Sequence, residues 1–219
     1  MRYIAVLGIV SAVALSANAQ LWDQSSNLGS GAVAQDFTDF PNFSTLEFDD
    51  FVVASPGWIV TRVTIYGIEQ GSSAATLSLE LRILDAPDAN ANVVASATVS
   101  PAAGHGPNLV FGNGSNPLFT LNPGTYWISA WIVRPFGNGG GQWFWRRNNE
   151  NSPTGSEHYF HNPGGGFGYG TNSIPGSQVF QTPADLGFTI EGVLVPEPAS
   201  MIALGAGLAG LLRLRRRVR

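Results

Sequence analysis

Two stretches of the chain alternate apolar and polar residues with a period of two. Ile59, Thr61, Val63 and Ile65 interleave with Val60, Arg62, Thr64 and Tyr66, and Leu77, Leu79, Leu81 and Ile83 interleave with Ser78, Glu80, Arg82 and Leu84. A strand points successive side chains to opposite faces, so each stretch predicts a half-buried strand. Weaker patterns predict strands at 92–100, 118–121, 125–133, 142–147, 157–161, 178–181 and 186–194, separated by turn-rich segments such as Asp85-Ala-Pro-Asp88 and Asn122-Pro-Gly124. No helical period appears between them. The fold expected is all-β, an antiparallel sandwich or jelly roll. Its inner face would hold Val63, Ile65, Leu79, Leu81, Tyr126, Ile128, Ile132, Phe188 and Ile190. The stretch 24–39, acidic and rich in Ser and Gly, reads as a linker.

The aromatic residues extend this pattern. If Phe144 looks inward together with Tyr126, Ile128 and Ile132, then Trp127, Trp131, Trp143 and Trp145 look outward. Exposed indoles rimmed by Asn, Gln and Arg suit sugar rings, whose C–H faces stack on aromatics. The other reading places these tryptophans in the core, where large aromatics usually lie.

Both ends of the chain break the alternation. Arg2 precedes an apolar run from Ile4 to Leu15, followed by the small-x-small sequence Ala17-Asn18-Ala19. This is the layout of an export signal helix over residues 1–19, so the mature chain is expected to begin at Gln20. At the other end, Val195-Pro196-Glu197-Pro198 precedes an apolar run from Met201 to Leu212 and a cluster from Arg213 to Arg219. Ala199 to Leu212 would be about 21 Å long as a helix, short of a hydrocarbon core of roughly 30 Å. Snorkelling arginines and local thinning let so short a transmembrane helix insert, and the positive charge holds the last residues in the cytoplasm. The two prolines make the preceding residues an extended stalk.

This order of Pro-Glu-Pro, short Gly/Ala/Leu helix and terminal arginines resembles the PEP-CTERM sorting signal of Gram-negative bacteria. The resemblance covers about the last 25 of 219 residues. It implies recognition by an exosortase, a membrane-embedded cysteine-type peptidase, with Pro196, Glu197 and Pro198 as the recognised motif, Met201 to Leu212 as the anchor and Arg213 to Arg219 as the stop. It further implies transit through the inner membrane and release to the cell envelope or extracellular matrix. The body, residues 20–194, is similar to the jelly-roll domains of such cargo in its Asp49-Asp50-Phe51 segment, its Gly-Thr-Tyr-Trp stretch at 124–127 and its Asn-Pro-Gly-Gly-Gly-Phe-Gly loop at 162–168.

Composition narrows the chemistry. Residues 20–198 hold all 15 acidic side chains but only five arginines, so nucleic acid is not an expected partner. The chain has no lysine and no cysteine, which removes Schiff-base, P-loop and thiol chemistry. No Gly-x-Ser-x-Gly elbow accompanies His105, His158 or His161, and on a strand His158 and His161 would point to opposite faces, as solvated loop or edge residues. No catalytic or metal-ligating set is therefore expected. Calcium is the one cofactor left open, through Asp36, Asp39, Asp49 and Asp50 should the N-terminal segment fold back; otherwise these are solvated charges or edge-strand gatekeepers. The function expected is that of an exported, non-enzymatic surface or matrix protein, structural or adhesive, with possible polysaccharide binding through its tryptophans. The alternatives are a secreted polysaccharide-active enzyme, which needs a pair of carboxylates across a cleft, and a purely structural matrix protein.

Overall fold

A computed structural model describes residues 18–101, 104–148 and 153–197. The strands are β1 (Ala19–Asp23), β2 (Leu28–Val33), β3 (Gln35–Phe37), β4 (Leu46–Val53), β5 (Trp58–Ile65), β6 (Gly67–Gln70), β7 (Ser78–Leu84) and β8 (Val93–Val99). There follow β9 (Leu109–Phe111), β10 (Phe119–Leu121), β11 (Gly124–Arg134), β12 (Gln142–Asn148), β13 (Tyr159–His161), β14 (Ile174–Pro175) and β15 (Phe188–Leu194). Helix is confined to two 3-10 turns and the four-residue α1 (Ser177–Phe180) among the described residues. The fold is thus all-β, as the alternation predicted.

Three sheets carry it. One runs β14-β13-β4-β11-β7-β8, with β3 beside β11; the second runs β1-β15-β5-β10, with β9 also on β5; the third is β2-β12-β6. Pairing is antiparallel except for β3 on β11. Backbone bonds from Arg146 to Tyr66 and from Gly187 to Arg146 lash the third sheet to the second. The core draws on all three, with Val63, Ile65, Leu79, Leu81, Ile128, Ile132, Phe188 and Ile190 all buried as expected and Tyr126 packed against them. Burying this many aliphatic and aromatic side chains, each contributing about 1.5–3 kcal/mol, is the main force holding the layers together.

Two expectations are corrected. The supposed linker 24–39 forms β2 and β3. Gly31 must be small because β2 pairs closely with β12: a Cβ on it would lie 2.6 Å from Phe144 Cβ and 2.9 Å from the Trp145 carbonyl oxygen. The stretch 178–181 lies in α1 and its C-terminal cap, not a strand. Its turn brings Phe180 over the Arg147 guanidinium, 4.3 Å from the ring centroid, and ends at Gln181 with φ of 65°.

The first and last strands meet. Ala19 pairs with Gly192 and Trp22 with Ile190, so β1 enters alongside the exit of β15. Cleavage after Ala19 would leave Gln20–Asp23 in this pairing. The signal segment before Asn18, the anchor Met201–Leu212 and Pro198 lie outside the described residues. Among the described residues no helix is long and apolar enough to cross a membrane.

Candidate functional site

The sorting segment begins where the body stops. β15 ends at Leu194, which pairs with Trp58, and the Val195 N–H still donates to the Gly57 carbonyl at 2.9 Å. Pro196 and Glu197 are exposed. Gly57 sits at φ 109°, and a Cβ there would lie 2.7 Å from the Leu121 carbonyl oxygen, so the corner before β5 is wedged against the turn after β10. Only glycine tolerates that approach in that conformation.

The tryptophans divide. Trp127 and Trp131 lie on the face of β11 opposite Ile128 and Ile132, but neither is the freely exposed indole expected. Trp127 is half-buried and meets the Tyr159 ring edge-on at 5.4 Å, while Trp131 is 7% exposed beneath the Arg82 guanidinium, 4.9 Å from the ring. Trp143 and Trp145, expected outward, are fully buried. The expectation put β12 in phase with β11, but the two belong to different sheets, and the inward face of β12 carries the indoles while Phe144 and Arg146 face outward. Burial leaves no donor unsatisfied: Trp143 Nε1 donates to the Pro107 carbonyl at 2.7 Å and Trp145 Nε1 to that of Gly187 at 2.9 Å. Gly67 makes room, since a Cβ there would fall 2.4 Å from the Trp143 ring.

Three concavities flank these elements. A recess of about 210 Å³ is lined by Asp36, Ser44, Thr45, Leu46, Arg82, Trp131 and Pro163, combining an indole edge with charges of both signs and hydroxyls. A second, of about 240 Å³, is walled by Phe37, Phe40, Phe43, Phe136 and Phe167 and offers one amide, Gln142, which is too little polarity for a sugar. The largest, about 570 Å³, has Glu69 as its one carboxylate, already bound to Arg134 at 2.6 Å, so it lacks the paired acids of a glycosidase.

Asp49 and Asp50 belong to a buried group that the sequence did not reveal. Glu47, Asp49, Asp50 and Asp185 are all buried with His158 and Arg147. Asp49 accepts from Gln24 Nε2 at 3.0 Å and from the Leu186 N–H at 2.5 Å, and Asp50 accepts from the Ser156 N–H at 2.8 Å. Burial pushes Glu47 and Asp49 well above the ordinary carboxylate range. His158 donates through Nδ1 to the Ala184 carbonyl at 2.8 Å, and its Nε2 lies 3.7 Å from Glu47. Burial lowers its pKa to about 4, so its ring is neutral at pH 7. Asp49 and Asp50 are thus central-strand residues rather than edge gatekeepers, and His158 and His161 are buried rather than solvated. Asp36 and Asp39 serve elsewhere: the first accepts from Ser44 Oγ, the second from the Phe136 and Gly137 N–H groups. The four aspartates do not converge, and among the described residues no group of three or more ligating side chains is placed to hold a metal ion.

Comparison with the curated proteins and with the solved structures gives no match. Comparison with protein families matches residues 194–217 to the PEP-CTERM protein-sorting motif. The matched segment thus starts on the last paired residue of β15, and it marks the chain for export and for handling at a membrane by an exosortase-like system. In its final segment, then, the chain is a PEP-CTERM sorting-domain protein.

Proposed function

We propose that the sorted body is a non-enzymatic surface or matrix domain, a β-sandwich that binds an extracellular polysaccharide through the outer face of β11. The observation that carries this is the recess beside Trp131, where an indole, the Arg82 guanidinium, Asp36 and the hydroxyls of Ser44 and Thr45 meet in about 210 Å³. That volume suits one sugar ring, with apolar contact on one side and hydrogen-bonding groups around it. Trp127 and Tyr159 extend the aromatic surface along the same face. Trp127 and Tyr159 present the ring surface here and Trp131 only its edge, whereas Trp143 and Trp145 are fully enclosed and cannot reach a ligand.

The test uses the protein released from cells, presented to immobilised purified polysaccharides of acidic and neutral type. Arg82→Ala and Trp127→Ala are expected to weaken retention about tenfold each, the loss of one stacked or charged contact. Trp143→Phe is expected to leave it unchanged. Retention indifferent to both outer-face changes, or no retention on any polymer, removes the binding role and leaves a structural one.

A further inference from the structure

We infer that the body itself brakes its own release: the end of β15 and the corner beside it form the surface against which the processing peptidase must work. This rests on the sorting reading above.

Peptidases take their substrates as extended strands, using several residues on each side of the bond they cut. The residues that would precede Pro196 in such a cleft are already engaged. Val193 pairs with Ile59, Leu194 with Trp58, and the Val195 N–H with Gly57. The partner edge cannot yield, because Trp58 is buried in the core and Gly57 is wedged against Leu121 and Pro123. No free chain lies between the last backbone hydrogen bond of the body and Pro196. A peptidase gripping Pro196 and Glu197 therefore meets the corner Ala54–Gly57 and the turn Asn122–Gly124 at once. It gains more substrate only when the end of β15 lifts from β5. Cleavage then follows the population of this frayed state, as for proteolysis of any locally opened segment.

The experiment is a pulse-chase of the full chain in its producing cells, following release into the medium. A six-residue Gly/Ser spacer between Val195 and Pro196 removes no contact of the body and supplies the missing slack. It is expected to speed release roughly fivefold, which is what freeing one strand-end hydrogen bond is worth. The same spacer after Gly170, where a Cβ would meet nothing within 4 Å, is expected to leave the rate unchanged. Glu197→Ala, in the parent and in the spacer variant, is expected to hold the protein in the membrane fraction. If Glu197→Ala still blocks release while the Val195–Pro196 spacer leaves it unchanged or slows it, the brake is overturned. Equal acceleration by both spacers also overturns it. If Glu197→Ala releases at the parental rate, the sorting reading itself is what fails.

Discussion

Acidification should weaken the body through His158, by an amount that its burial sets. The ring is enclosed by Ala184, Glu47, Phe180 and Gly176, with Arg147 near enough to oppose a second positive charge. Its folded pKa of about 4 lies below the unfolded 6.5. The unfolded chain therefore binds the proton first. Stability from this group is fully present above pH 6.5 and is lost as pH falls toward 4. The full loss is about 3 kcal/mol, from 1.36 kcal/mol per unit, and about 2 kcal/mol is gone by pH 5. Glu47 and Asp49 act in the opposite sense, because their raised folded pKa values favour the folded state as pH falls toward their unfolded values of 4.5 and 3.8. The histidine contribution must hence be isolated by difference. His158→Asn keeps an N–H for the Ala184 carbonyl and removes the titration. Urea unfolding of both proteins at pH 7 and pH 5 gives the comparison. The parent should lose about 2 kcal/mol more than the variant between the two pH values. Parallel losses, or a His158 resonance titrating near 6.5 in the folded protein, would refute burial of His158 as a neutral ring.

Three other outcomes follow from the packing. Trp145→Ala should cost about 3–5 kcal/mol by opening a cavity against Phe188, read as a fall in the urea midpoint. Gly67→Ala should destabilise by about 1–3 kcal/mol, again read from the urea midpoint, since its Cβ would fall 2.4 Å from both the Pro107 carbonyl oxygen and the Trp143 indole. Glu69→Gln should destabilise by about 3 kcal/mol or more, measured the same way, because Arg134 is fully buried and keeps its charge.

The strand at 77–84 was legible because it has one face in the core and one largely polar face, whereas in 59–66 a bulge at Thr61 breaks the alternation and Val60 joins Val63 and Ile65 in the core. β4 was not legible, because Glu47 and Asp49 share its buried face with Phe51 and Val53, so charge stands where apolar residues were looked for. β2 was hidden by glycine and alanine, whose smallness serves close packing rather than propensity. The orientation of Trp143 and Trp145 depends on which sheet β12 joins, and a single strand's alternation cannot say which of its faces is inward. One signal for it existed in Gly67, a glycine at a strand boundary whose added Cβ would meet the Trp143 indole. For the candidate site, the sorting segment was readable in full because it depends on local order of residues. The recess was not, since Asp36, Ser44, Arg82, Trp131 and Pro163 come from separate elements joined only by tertiary pairing.

The pairing of β1 with β15 has a practical corollary for anyone using this chain as a carrier. With entry and departure side by side, a passenger grafted before Gln20 would lie next to the segment on which the sorting peptidase works. A graft into the glycine loop near Gly168 or Gly170, whose Cβ positions are open, would need no rearrangement of the three sheets. That loop, rather than either terminus, is the place to attach cargo.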